Sequence, residues 1–525
     1  MANPSLQIGN SNWAIKEDNL LGYSTAGTRF LPQPITMTRA SAGTRVNSSG
    51  LIETVELLGS ELITDGDFAL TGTQAESTTG TYWSTGASWT IANNIATYGG
   101  VGEPYLNNLN AVNIQVGQTF IFTFTLNSDA KLRFVNEAGA RFQGTWVVYA
   151  QGTHTVYITS GISATLIGIQ ADTNNGSFGV SNVSVKESTK NNLARVDYDG
   201  TASSLLVEPE RTNDITNSET FGSTGWSQVT TGTAITPIVT DNYAISPDGT
   251  QNAQRIQFNL GGSSPSRTVI RQSISTQTDW FLSVYMKSTD GTDQKILWHS
   301  TSDTNETTVT ADWKRFTFSR NGFSNSWAGL CLNGGVSTVN TADILVYGFQ
   351  AEQGSYATSY IPTSGLTVTR VKDQYEKTGI SNLINSEEGV LFVEMAALSE
   401  SGGNGQIQLR DAASANVISI QLETGIIKAR SKVSNVSIGA TLNYTTPIVS
   451  SNKIAIMWTS LGVFTFWING FLRGTVTHGT TFSSGVLTNV NFDSASTYFF
   501  EGKVKQLQVY KTALTDTELA TLTTI

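Results

Sequence analysis

Residues 62 to 187 and 213 to 352 present the same landmarks in the same order, and a chain that repeats itself on this scale builds one structural unit twice. Each stretch opens on Ile-Thr, an aromatic and a Gly/Trp turn: ITDGDFALTG then ASWTI, against ITNSETFGSTGWSQV. Each continues through Gln-Thr into a strand pattern, QTFIFTFTLNSDAKLRF against QTDWFLSVYMKSTDGTDQKILW. Each then carries a Trp-led segment, TWVVYA against DWKRFTFS, and ends on alternation closed by an acid, SFGVSNVSVKE against ADILVYGFQAE. At roughly 125 to 140 residues apiece, the copies suit the eight or so strands of a jelly roll.

Strand signals dominate. In FIFTFTL, Phe120, Phe122, Phe124 and Leu126 fall on one face, and in WFLSVYM so do Trp280, Leu282, Val284 and Met286. This period of two marks half-buried sheet strands. Asn469-Gly470, inside VFTFWINGFLRGT, predicts a tight hairpin because both residues accept positive φ. The one helix expected is terminal, where Thr515 and Glu518 have capping-box spacing ahead of Leu519 and Leu522. The fold class expected is therefore all-β, with tandem β-sandwich (jelly-roll) domains.

At 525 residues the chain is too long for one core. A net charge of −10 with no basic cluster argues against nucleic acid as a partner, since that affinity comes from neutralising phosphates. No apolar run approaches 18 residues, so no membrane insertion is expected. The opening MANPSLQIGNSNWAIKED lacks the basic and apolar regions of a secretory signal, and the product is expected to be made soluble and to stay so. Cys331, the single cysteine, reads as a buried thiol in AGLCL.

The segments outside the two copies carry a resemblance. TRASAGTRVNSSGLIE, ARVDYDG, LLVEPERTN and GFQAEQGSYATSYIPTSGLTVTR, in that order, are similar to motifs of tailed-phage virion proteins, namely tail fibres, head fibres and related appendages. The C-terminal block, from EGVLFVEMAAL through FWINGFLRGT to the stretch before ALTDTEL, resembles a concanavalin-like or laminin-G-like lectin sandwich, and the two copies resemble carbohydrate-binding-module jelly rolls. The division that follows is an N-terminal virion-anchoring or connector segment at 1–56 and a first jelly roll at 57–190, which reads as an insertion. A connector at 191–212, a second jelly roll at 213–365 and the lectin-like domain at 366–525 complete it. The resemblance implies a homo-oligomer, most often a trimer, with other virion proteins and host-surface polysaccharide as partners, located in a virion assembled in the host cytoplasm and released by lysis. A fibre that adheres to glycans and a head-fibre, capsid or tail decoration that mainly packs against neighbours both fit these motifs.

Enzymatic chemistry finds little footing. His154, His299 and His478 are scattered, and no metalloprotease, P-loop or nucleophile-elbow motif occurs. A glycosidase needs two carboxylates across a sugar site. Asp197, Asp199, Glu208 and Glu210 are near one another but read as solvated linker charges, so a polysaccharide depolymerase is the lesser reading and no catalytic residue is assigned. No organic cofactor is expected. A structural calcium ion is compatible with lectin-like folds, but no loop has EF-hand spacing, and neither Asp411 nor Asp493 alone makes a site.

Sugar recognition needs aromatic faces for the C–H side of the ring and polar groups for its hydroxyls. Loop positions offering them are Tyr82 and Trp83 in GTYWSTG, Tyr105 in GEPYLNN, and Asn325 with Trp327 in SNSWAG. Trp89, Trp146, Trp226, Trp280 and Trp313 lie in strand-like runs and are expected in cores. Tyr356 and Tyr360 in YATSYIPTSG, four apart in an extended segment, are expected to share a face and clamp a junction between domains.

Overall fold

A computed structural model describes residues 2–9, 13–16, 19–23, 35–142, 144–262, 265–276, 279–299, 305–321, 327–400, 405–477, 479–493 and 499–525. The protein is all-β, built of several β-sandwiches, and divides into two compact units: residues 56–190, and residues 1–55 together with 191–525.

The smaller unit is one sandwich. One sheet runs Gly152–Thr159, Thr119–Leu126, Phe178–Thr189, Ile95–Tyr98, Trp89–Ala92, with Leu57–Glu61 also paired to Phe178–Thr189. The other runs Val147–Tyr149, Ala130–Val135, Ile167–Ala171, Tyr105–Asn108, Trp83–Thr85. Thr119–Leu126 alternates half-buried and buried without a break, so its phenylalanines enter the core while its threonines face out. There Thr119 and Thr125 meet Thr159 and Thr153 across the strands.

The second copy, inside the larger unit, repeats that topology strand for strand. One sheet runs Lys314–Asn321, Asp279–Ser288, Thr341–Gln353, Ala253–Asn259, Ile235–Ala244; the other runs Glu306–Val309, Gln294–His299, Trp327–Asn333, Arg267–Ser273, Trp226–Thr231. Both sheets therefore keep the order of the first copy, and the long last strand is central in each, Phe178–Thr189 and Thr341–Gln353.

The C-terminal sandwich packs an eight-stranded against a seven-stranded sheet around one apolar core. The hairpin at Asn469-Gly470 forms as expected, with Ile468 opposite Phe471 and both turn residues at positive φ. The terminal helix Asp516–Thr523 begins at a full capping box between Thr515 and Glu518 and lays Leu519 over the outer side of the large sheet, against Val390, Phe392 and Trp467.

The segments read as connectors are built into this sandwich. Arg195–Asp199 and Ala202–Val207 form a hairpin at the edge of the eight-stranded sheet, and Leu6–Ile8 and Thr36–Thr38 add to its two sheets. Pro209 falls after the hairpin, and Arg211–Asn213 then pairs with Val368–Arg370.

Of the four carboxylates read as solvated, Asp199 and Glu210 are exposed, whereas Asp197 and Glu208 are buried. Glu208 is 3% exposed and accepts from Arg195 at 2.5 Å and Arg370 at 2.9 Å, and from the Ser359 N–H and hydroxyl at 2.6 and 2.7 Å. Asp373, equally buried, binds Arg39 at 2.8 Å, Arg195, and the Glu208 N–H at 2.9 Å. Asp197 is held by the Val46 N–H and Lys503. Sequence proximity suggests a polar linker; in three dimensions Asp197, Glu208 and Asp373 each meet a cation from a distant segment, Lys503, Arg370 and Arg39 respectively. Asn213, fully buried, closes the same region by accepting from the Ile215 and Ala351 N–H groups and donating to the Phe349 and Ile361 carbonyls.

Candidate functional site

The alternation that sends Ile270, Trp298 and Leu330 into the second sandwich's core sends their neighbours to the outer face of the same sheet. Arg271, Gly329 and His299 lie opposite one another in a single cross-strand row, with Val269, Cys331 and Leu297 forming the next row. Gly329 has no side chain, and a Cβ there would stand 2.0 Å from the Ile270 carbonyl oxygen and 2.7 Å from Arg271 Cα. Arg271 and His299 consequently meet across it, Nη1 to Nε2 at 3.4 Å. Arg267 approaches the other ring nitrogen, Nδ1, at 2.9 Å. Trp327, half-buried, completes the face with the Arg271 guanidinium 3.9 Å from its ring centre.

The first sandwich carries a counterpart on the corresponding sheet. Tyr105, Gln170 and Arg133 share a row. Arg133 donates to Gln170 at 2.6 Å, Gln170 donates to the Glu103 carbonyl at 2.9 Å, and the Arg133 guanidinium lies 3.9 Å from the Trp146 ring centre. Burial, with Arg141 nearby, pulls the Arg133 pKa down. Gly168 occupies the central strand as Gly329 does in the second copy, and Asn107 lies across it. The two stacks fall on opposite sides of that glycine-bearing strand, since Arg133 comes from Ala130–Val135 while Arg271 comes from the strand corresponding to Tyr105–Asn108.

Of the sequence-derived candidates, Tyr105 and Trp327 stand on these faces. Trp83 does not: it is 1% exposed, its ring 4.8 Å from Phe68 and its indole N–H donating to the Asp65 carbonyl. A tryptophan in a turn-like segment is drawn inside here because Trp83–Thr85 is an edge strand whose first residue faces the core. Tyr82 packs half-buried against the same core. Asn325 lies outside the described residues. Trp89, Trp226 and Trp280 are core residues, whereas Trp146 is half-buried on the outer face and Trp313 packs in the small cluster of Ile52, Tyr347 and Tyr360. Arg133, Trp146, Gln170, Arg267, Arg271 and His299 were not picked out. A local signal existed only in KLRFV, where Lys131 and Arg133 alternate with Leu132 and Phe134; TVIRQS shows no such alternation.

Among the described residues no three His, Cys, Asp or Glu side chains group to hold a metal ion. Asp411 instead organises its own loop, accepting from the Ala415 and Asn416 N–H groups and the Asn416 amide.

The chain is similar to several solved carbohydrate-associated β-domains. One is the CBM40 of the Ruminococcus gnavus IT-sialidase bound to alpha2,6 sialyllactose, at 16% identity over 26% of this chain and 82% of that chain, with a TM-score of 0.23. Another is domain 4 of AbnA, a GH43 extracellular arabinanase from Geobacillus stearothermophilus in complex with arabinotriose, at 13% identity over 33% and 83%, with a TM-score of 0.24. A third is the N-terminal CBM22-1–CBM22-2 tandem of Paenibacillus barcinonensis Xyn10C, at 10% identity over 56% and 98%, with a TM-score of 0.22. At these scores the likeness carries no argument about ligands. No protein-family model and no curated protein matches the chain.

Proposed function

We propose that this chain is a non-catalytic, glycan-binding structural protein of a phage virion, a fibre or spike whose sandwiches hold host-surface saccharides. The observation that carries the glycan reading is the Arg–Trp stack on the outer face of the same sheet in both sandwiches. An aromatic face beside fixed hydrogen-bond donors is the chemistry a sugar ring requires. Arg267 and Arg271, whose planar forks suit carboxylates, fit an acidic sugar on the second face. The Tyr105–Gln170–Arg133 row, with Glu103 3.7 Å from Arg133, fits a neutral one on the first. Weak sites on a homo-oligomer, expected as a trimer from the resemblance, would act through avidity. The virion assignment and attachment to other virion proteins through the N-terminal segment are supported by the four motifs and their order.

A glycan array probed with the full-length protein, Trp327→Ala and Trp146→Ala tests adhesion. Acidic-glycan signal is expected to fall with Trp327→Ala and neutral-glycan signal with Trp146→Ala; no binding by the oligomeric wild type would overturn the reading. A packing role as a head-fibre, capsid or tail decoration is favoured by one observation. Residues of all four virion-like motifs, Arg39, Arg195, Glu208 and Arg370, are buried in contacts within this chain. Density for the protein in a virion reconstruction distinguishes the two by its place of attachment.

A further inference from the structure

At the end of the second sandwich, where Arg211–Asn213 and the chain leaving Thr341–Gln353 pass the start of Asp279–Ser288, lies an open groove of about 840 Å³. It is remote in composition from the sheet faces: its walls present Glu210, Arg211, Asp214, Asp279, Trp280 and Gln353. The volume falls within the range of about 300–1,000 Å³ common for small-molecule sites.

We infer that this groove is a separate binding site for a hydroxyl-rich, non-anionic saccharide. Two donors support it. Trp280 is 2% exposed, lines the groove, and its indole N–H has no partner; the buried Arg211 Nε has none either. Buried donors are normally satisfied, and an orphan beside a polar cavity marks where an acceptor belongs. The acceptors are three carboxylates against one guanidinium, which favours hydroxyl groups and disfavours a second anion. Two carboxylate-bearing walls and an Arg allow paired contacts to neighbouring hydroxyls of one ring. The walls are held in place before any ligand arrives. Asp214 accepts from the Ser275 N–H at 2.5 Å, and Arg211 lies across Gly354, where a Cβ would stand 3.0 Å from the guanidinium. Tyr356 steadies the same arginine from beyond the groove, its ring 5.4 Å from the guanidinium carbon and its hydroxyl donating to Glu501 at 2.5 Å. The site does not depend on the sheet faces binding anything.

The test uses the full-length protein labelled with 15N-tryptophan, in which each of the 11 indole groups gives one N–H signal and Trp280→Phe assigns the one in the groove. Cellotetraose, maltotetraose, a mannotetraose, tetragalacturonate and a glucosamine tetramer are titrated in turn. A neutral tetrasaccharide is expected to shift the Trp280 signal, with affinity falling about tenfold in Asp214→Ala and in Gln353→Leu, the loss expected for one hydrogen bond, and unchanged in Trp327→Ala. Failure of every neutral probe to move that signal overturns the site. So does a shift that survives both groove variants with its affinity intact. Binding of tetragalacturonate, or of the glucosamine tetramer alone, overturns the ligand class.

Discussion

The sandwich interiors and the junction of the larger unit are equally buried and are built from opposite materials. In the second sandwich Ile256, Leu282, Val284, Trp298 and Leu330 meet as apolar side chains, and each is placed by its neighbours along the strand. In the junction Arg39, Arg195, Glu208, Arg370 and Asp373 are 0–3% exposed and meet as charges drawn from four sequence segments as far apart as residues 39 and 373. The first kind of region is tolerant, because apolar packing is non-directional and a smaller residue leaves only a cavity. The second is all-or-none, because removing one charge strands its partner in a place without water. The segments that carry Arg39, Arg195, Glu208 and Arg370 are tied to one another by charge, while the sandwich interiors are filled by apolar packing.

The sharpest way to break this contrast is Asp373→Asn, which leaves Arg39 and part of Arg195 uncompensated. A loss of about 3–5 kcal/mol is expected, confined to the larger unit. Urea unfolding followed by hydrogen exchange in peptides from each unit would show the transition of residues 56–190 unmoved. A uniform shift of both units, or none, would contradict the assignment of the junction as a local keystone.

Acid comes next. Burial alone would push Glu208 up, but Arg370 and Arg195, with the Ser359 hydroxyl and N–H, together hold its carboxyl well below the ordinary range. A folded-state value depressed in this way gives stability that is present above the unfolded value near 4.3 and is lost as pH falls below it, on the order of 2–4 kcal/mol in all. Melting of the larger unit between pH 7 and pH 3 is expected to hold steady to about pH 4.5 and then fall, and to lose that step in Glu208→Gln.

A conservative cut in an apolar interior calibrates the comparison from the other side. Ile256→Val, fully buried in the second sandwich, is expected to cost about 1 kcal/mol and to leave the junction's hydrogen-exchange protection unchanged.

The same division explains what could be read in advance. Period-two alternation gave the strands around Phe120–Leu126 and Trp280–Met286, the Asn469-Gly470 turn and the Thr515 cap, because each depends on residues within a few positions. The repeat gave the shared topology of the two sandwiches. The junction was illegible because a charged side chain looks solvated until its partners are known, and most of these lie in distant segments, as Arg39 does from Asp373 and Arg370 from Glu208. Tyr356 and Tyr360 show a smaller version of this. They do not share a face, because the segment is not a regular strand: Tyr360 turns to Ser218, Glu219 and Tyr347, and Tyr356 to Glu501. The outer-face arginines leave no local signature of their own, because an arginine in a strand looks the same in sequence whether it meets water or stacks on a tryptophan from another segment, as Arg133 and Arg271 do.

The smallest expected effect has the opposite sign, and it separates a buried charge that is matched from one that is not. Glu219 accepts hydrogen bonds from Tyr360 at 2.9 Å and Tyr347 at 3.3 Å, two neutral hydroxyls where Glu208 meets two guanidinium groups. Burial raises its pKa, Asp248 adds to the rise, and the tyrosine hydroxyls offset only part of it. A raised folded-state value means that its contribution is complete below the unfolded value and is lost as pH climbs through the folded one, so at neutral pH the charged form is a burden. In Glu219→Gln the amide oxygen still accepts from both hydroxyls while the charge is gone. A gain below about 1 kcal/mol is expected at pH 7.5, shrinking toward zero near pH 4, measured by thermal melting across that range. A loss at pH 7.5 would place Glu219 with Glu208 as a matched charge, and the boundary between the two kinds of interior would then run between Tyr360 and the sandwich rather than through the tyrosine cluster itself.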